Sequence, residues 1–159
     1  MKITRYDEHN KPGPEEKKAL AAFLFKHLGD FSDDTADIEK AINYAVKDTD
    51  SPGGFVLKST QDDFITCVLV VTRTGMTGFV PENLLVYIAT HSAFRGQGIG
   101  RKMMQLALET AQGNMALHVE PHNRARRLYE ELGFTNKYLE MRYIKPQEEA
   151  PGNPSPLSC

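Results

Sequence analysis

Tryptophan is absent from this 159-residue chain, and cysteine occurs twice, at Cys67 and at the last position, Cys159. Neither cysteine belongs to a spaced pair or a metal-ligand set, which argues against a disulfide framework or a zinc site and makes a reduced, cytoplasmic setting the expectation. Long apolar runs are missing as well. The longest, Phe64–Val71, is broken by Thr66 and falls far short of the ~20 residues of a membrane-spanning helix. The polar start MKITRYDEHN has no apolar segment, so no signal peptide is expected. Nor does either sign of charge prevail. Lys+Arg number 19 against 21 Asp+Glu, a net −2, whereas a nucleic-acid coat protein is usually strongly basic. Neither a membrane nor a nucleic acid is therefore an expected partner, and no internal repeat is visible.

What remains is 40% hydrophobic and 25% charged, the composition of one globular domain. At this length folding buries roughly 70% of the unfolded surface, enough for one core without staples. The domain is expected over residues 1–145. The tail at 146–159 holds Pro146, Pro151, Pro154 and Pro156 without apolar periodicity and reads as disordered.

Periodicity supplies the elements. Residues 2–7 alternate weakly, as a strand would. Pro14 followed by Glu15 and Glu16 starts a helix, because proline suits the first helical position and acidic side chains oppose the dipole; Leu20, Phe23, Leu24 and Leu28 continue it. A second helix begins near Ser32 or Asp33 and ends near Asp48. Phe55–Ser59 and Phe64–Thr74 read as strands joined by a turn at Gln61–Asp63. Leu84–Thr90 is apolar nearly throughout, as expected of a strand covered on both faces. A helix over 99–111, a strand over 115–119, a helix over 123–132 and a final strand over 135–144 complete an α/β alternation.

The most informative stretch is LLVYIATHSAFRGQGIGRKMMQLAL, in which a strand feeds Gly96, Gly98 and Gly100 and then a helix. Such a bend aims several backbone N–H groups and a helix dipole at one spot, an anion site suited to phosphate. Two common phosphate turns fail here. No Gly-Lys-Ser/Thr occurs at P-loop spacing, and the third glycine of a GxGxxG dinucleotide turn would fall on Arg101. What is left is R-x-x-G-x-G from Arg95 to Gly100.

In this the chain resembles the GCN5-related N-acetyltransferase (GNAT) superfamily, whose pyrophosphate loop has the pattern Q/R-x-x-G-x-G/A. A second signature agrees: Leu117 to Phe134, LHVEPHNRARRLYEELGF, resembles the family's strand followed by Asn, Ala, Leu-Tyr and Gly-Phe. The resemblance implies a mixed, mostly antiparallel sheet with helices on both faces, splayed between the strands at 84–90 and 115–119. It implies acetyl-CoA as cosubstrate. The main chain of Ile88 and Thr90 would pair with the pantetheine arm, and Arg95, Gly96, Gln97, Gly98, Ile99, Gly100 and Arg101 would hold the pyrophosphate. Tyr129 matches the tyrosine that protonates the departing thiolate. A phenol with pKa ~10 is protonated at neutral pH and can serve a thiol of pKa ~8.5.

Asn123 would contact the cofactor, although it lies six residues before Tyr129 where seven is usual; His122 holds the seventh position. For the base that takes the ammonium proton, His118 and Glu120 share a strand face by the period of two, with Glu82 or an ordered water as alternatives. His118, Glu120 and His122 alternate, but Pro121 breaks the strand between them, so no metal is expected. Between positions 95 and 127 six basic residues stand against two acidic ones, a field suited to phosphates. The acceptor is expected to be a primary amine of a small molecule or peptide. Asp33, Asp34, Asp37 and Glu39 offer an acidic rim to it, and a homodimer is possible. A cofactor-binding module without turnover is the alternative reading.

Overall fold

The computed structural model describes residues 1–147. The expected tail therefore lies outside the described residues except for its first two. Five strands and four helices follow one another as β1 (Lys2–Tyr6), α1 (Pro14–Leu28), α2 (Thr35–Ala45), β2 (Gly54–Gln61), β3 (Phe64–Arg73), β4 (Asn83–Thr90), α3 (Ile99–Thr110), β5 (Met115–Leu117) and α4 (Ala125–Glu131). The strands form one sheet in chain order. Pairing is antiparallel from β1 through β4 and parallel between β4 and β5, so the expected mixed, mostly antiparallel sheet is present.

Local chemistry explains most boundaries. Pro14 opens α1 with Glu15 and Glu16 in its first turn, and Lys26 and His27 stand in its last, each charge opposing the helix dipole. Asp62 and Asp63 both take positive φ, 50° and 66°, which suits a two-residue hairpin between β2 and β3. The second helix starts later than expected, at Thr35, because residues 29–31 form a separate 3₁₀ turn.

Strand alternation sends side chains to two cores. Val56, Val68 and Val70 join Leu20, Leu24, Ile38 and Ile42 under α1 and α2. Phe55, Leu57, Leu69 and Val71 join Met103, Met104 and Tyr129 under α3 and α4. Helices on both faces are thus observed.

One expected element is missing. Residues 135–144 run without strand pairing, and Tyr138, Leu139, Met141, Tyr143 and Ile144 are 74–90% exposed. The alternation was real, but a strand needs a neighbour for its main-chain groups, and β5 at the sheet's end pairs with β4 alone. That strand is also shorter than expected, ending at Leu117 instead of 119.

Candidate functional site

The site begins at a fault in β4. Val71 pairs with Leu85 and Val70 with Tyr87, so Val86 is an extra residue, a β-bulge. Its effect on the main chain is a change of parity. Before the bulge, Asn83 N–H donates to Asn114 O (3.0 Å), toward the β5 side; after it, His91 N–H donates to Thr66 O (2.8 Å), toward β3. Counting back by the period of two, Ala89 also faces β3, and Ile88 and Thr90 turn their N–H and C=O groups away from it. On that side β5 has already left: it pairs with β4 only at Asn83, Leu84 and Leu85. Ile88 and Thr90 therefore border the opening between the two strands.

Beyond Thr90 the chain makes a 3₁₀ turn and reaches Gly96 and Gly98, both at φ 79°, a left-handed conformation that glycine adopts without steric cost. Gly98 is the N-cap of α3 and supplies no capping side chain. The first helical hydrogen bond is Lys102 N–H to Gly98 O, 3.1 Å, so the amides of Ile99, Gly100 and Arg101 point out of the helix end without helical acceptors. A Cβ at Gly96 or Gly98 would meet nothing within 4 Å, so the space above the turn is open. Gly100 faces inward: a Cβ there would lie 3.5 Å from Thr90 Oγ1 and 3.8 Å from Leu128 Cδ2. The strand's end, α3 and α4 thus converge at one point. Gln97 lies between the two left-handed glycines and is exposed.

Tyr129 reaches this region from α4. It is 7% exposed, its ring held edge-on by Phe134 at 5.9 Å between centroids. Burial, with a smaller contribution from the nearby Cys67, pushes its phenol up to about 12. Cys67, on β3 opposite Thr90, is a fully buried free thiol, raised to about 12 by burial despite a hydrogen bond with Thr90. The Cys67–Thr90 pairing escaped sequence reasoning because a cross-strand register leaves no local pattern.

The other expected residues are placed differently. His118 and Glu120 lie just past the end of β5, outside the strand they were expected to share, and are exposed, while Val119 between them packs against the α3–α4 core. Glu120 pairs with His122 at 3.5 Å, and His122 stacks beside Phe31 at 5.6 Å. Among the described residues, no group of three potential metal ligands converges. Asn123 uses its Oδ1 to accept the Ala125 N–H (2.9 Å), capping the start of α4. Glu82 stands at the opposite end of β4, roughly 26 Å of strand away from Thr90, where its Oε1 accepts the Asn114 N–H at 3.2 Å. Asp33 of the acidic rim is exposed and accepts the Tyr87 hydroxyl at 2.5 Å; burial and then this contact hold the Tyr87 phenol well above its usual range.

The basic field is weaker than the count over 95–127 implies. Arg101 and Arg127 both pair with Glu131, and Arg126 pairs with Glu130. Those glutamates lie just past the counted window. Arg95 directs its guanidinium at main-chain oxygens, Nη2 to His27 O at 3.1 Å and Nε to Thr90 O at 3.4 Å, thereby tying the glycine turn to the end of α1. The His27 and His91 rings stack there, 4.3 Å between centroids. Burial, then His91, Lys26 and Arg95, lowers the His27 pKa. This clasp was not visible in the sequence, since its halves are 64 residues apart in the numbering of His27 and His91.

Strands that part beside a glycine turn at a helix N-terminus make a framework suited to an anionic ligand. The model of the Acetyltransferase (GNAT) family matches residues 13–134, and the chain belongs to that family. A comparison with curated protein sequences gives no match. Solved structures share the fold at low identity. A possible acetyltransferase from Clostridium difficile 630 is 15% identical with a TM-score of 0.65, over 92% of this chain and 98% of that one. A ribosomal-protein-alanine N-acetyltransferase from Brucella melitensis biovar Abortus 2308 is 15% identical with a TM-score of 0.62, over 91% and 100%. An aminoglycoside acetyltransferase from an uncultured soil metagenomic sample is 17% identical with a TM-score of 0.60, over 92% and 96%.

Proposed function

We propose that this chain is an acetyl-CoA-dependent N-acetyltransferase acting on a primary amine of a small molecule or peptide, by direct attack with both substrates bound. The observation that carries this reading is the bulge at Val86, which turns the Ile88 and Thr90 main chain toward the opening that leads to the amides at the start of α3. An extended pantetheine arm would pair there as an added strand edge. Its pyrophosphate would meet the N–H groups of Ile99, Gly100 and Arg101, with Gly96, Gln97 and Gly98 shaping the cup. Arg95 contributes by fixing the turn to α1, and Asn123 by setting the start of α4.

Bound acetyl-CoA would supply an activated acetyl thioester. The Ile88 amide would donate to its carbonyl oxygen. Tyr129 would give its hydroxyl proton to the departing sulfur. Burial holds the Tyr129 phenol up at about 12, so it is protonated at neutral pH and available as a donor. His118 or Glu120, on the exposed face beyond β5, would take the ammonium proton directly or through water. The ribosomal-protein and aminoglycoside acetyltransferases that share the fold support an amine acceptor by analogy. No helix among the described residues is long and apolar enough to cross a membrane, and the buried free thiol suits a reducing, cytoplasmic compartment.

Thermal melting with ~1 mM acetyl-CoA, and NADH as control, tests the cofactor. A Kd of ~10 μM gives about 2.7 kcal/mol of stabilisation, several degrees for a domain of this size. A shift with acetyl-CoA alone, followed by amine-dependent thiol release, is the expected result. Absence of the shift overturns the proposal.

A further inference from the structure

His91 is tied down by three hydrogen bonds where β4 gives way to the glycine turn. Its main-chain N–H donates to Thr66 O on β3 (2.8 Å), its C=O accepts the Phe94 N–H (2.9 Å), and its Nδ1 accepts the Ala93 N–H (3.0 Å). The last of these fixes the state of the ring. A neutral imidazole has one accepting nitrogen, whereas both nitrogens of an imidazolium are donors. The ring that caps this 3₁₀ turn is therefore neutral, with its hydrogen on Nε2, and a proton added at Nδ1 would set two donors against each other. From the capped turn the chain passes through Arg95 directly to Gly96 and to Gly98, the N-cap of α3.

The surroundings give an added charge no compensation. The His91 ring stacks on His27 of α1, 4.3 Å between centroids, with Phe94 edge-on at 5.5 Å and Phe23 at 6.4 Å. Lys26 from α1 and Arg95 from the turn are the charged groups that bear on the histidine pair, and both are cations. Burial first, then His91, Lys26 and Arg95, hold the His27 pKa below its ordinary value. The strands bring only neutral groups, Thr66 O to the His91 N–H and Thr90 O to Arg95 Nε.

We propose that His91 is a positioning residue for the cofactor turn, and that protonation of its ring weakens acetyl-CoA binding, so the site loses its cosubstrate as the pH falls. The proposal rests on acetyl-CoA being the ligand of this turn. Two effects oppose each other on acidification. An extra cation draws the cofactor's phosphates, but in ~0.15 M salt that attraction fades within ~8 Å. The lost cap acts on the main chain that shapes the cup itself, and it prevails.

Calorimetric titration of the full chain with acetyl-CoA in ~0.15 M salt, at about pH 7.5 and about pH 5.5, spans the range in which histidine changes charge. The cofactor's phosphate monoester, of pKa ~6, titrates there too, so the readout is the difference between proteins that differ at position 91. His91→Asn keeps an oxygen that accepts the Ala93 N–H and does not titrate, while His91→Phe keeps a ring for the stack and offers no acceptor. The unchanged protein is expected to lose roughly tenfold more affinity on acidification than His91→Asn, and His91→Phe to bind roughly tenfold more weakly than His91→Asn at the higher pH. Amide exchange over residues 91–98 without cofactor, corrected for the intrinsic effect of pH, is expected to quicken on acidification in the unchanged protein and not in His91→Asn. Equal acid losses of affinity in those two proteins overturn the proposal, whether or not His91→Phe folds, as does a smaller loss in the unchanged protein. Acetyl-CoA that binds none of the three at the higher pH overturns the reading of the site and this proposal with it; binding that is blind to residue 91 overturns this proposal alone.

Discussion

The two faces of the sheet are finished to different degrees. Under α1 and α2 the core is closed: Leu20, Leu24, Ile38, Ile42, Val56, Val68 and Val70 have no exposure at all, and four partly buried apolar residues surround it. Under α3 and α4 twelve partly buried apolar residues ring the core, and the sheet on that side parts between β4 and β5. Every proposed binding group lies along this second face or at its rim. The lesson is a division of labour. A fully satisfied face carries the stability, and a face left open by a bulge and a short strand borders the groups proposed to bind ligands.

The largest effect should separate the faces by stability. Leu24→Ala, in the closed core, is expected to cost 2–5 kcal/mol, as for a large-to-small change at a site that cannot collapse; Leu128→Ala, in the open ring, is expected to cost about 1 kcal/mol. Urea unfolding of the two variants reads the difference, and equal losses would erase the distinction. Next comes a change that touches chemistry without packing. Tyr129→Phe is expected to lower kcat roughly 100-fold, about 2.7 kcal/mol, while leaving the acetyl-CoA Kd within about twofold. An unchanged kcat removes Tyr129 from the mechanism.

A third variant probes the rim. Gly98→Ala forces a Cβ onto a residue at φ 79° and should cost about 1 kcal/mol of stability together with acetyl-CoA affinity. Gly13→Ala, at φ −70° with nothing near its Cβ and far along the chain at the N-cap of α1, is the control that should leave acetyl-CoA affinity unchanged. The smallest effect belongs to the clasp where α1 meets the turn. His27 has a folded pKa below its unfolded value of 6.5, so the folded state takes up its proton less readily. Its contribution is complete above about pH 6.5 and is lost as pH falls through the lowered value. His27→Gln should therefore flatten the fall in melting temperature as the pH drops below about 6.5. A profile identical to that of the unchanged protein would show that the clasp does not titrate there.

Much of this was legible beforehand. Pro14 with Glu15 and Glu16, the apolar spacing of α1 and α3, and the hairpin at Asp62–Asp63 are local signals and gave elements close to those observed. The glycine turn was legible for the same reason: Gly96 and Gly98 sit together in the chain and bend it themselves. The bulge was not. LLVYIAT is apolar on both faces, so no alternation reveals that Val86 and Tyr87 both lean toward the α1–α2 core. The charge count from 95 to 127 misjudged the local field because Glu130 and Glu131, one turn further along α4, neutralise arginines inside the window.

The sequence by itself determined the pieces whose causes lie within a few residues: helix starts, turns, the amide cluster at the head of α3 and the presence of Tyr129 after a Leu. Tertiary structure decided which way Ile88 and Thr90 face, which of the arginines are ion-paired, how burial and, less, Cys67 set the Tyr129 phenol, and that residues 138–144 find no strand partner among the described residues. The reason is physical. A propensity or a cap is spent where it is encoded, but register, burial and ion pairing depend on residues dozens of positions away, and a shift of one residue in a strand reverses every main-chain group that follows.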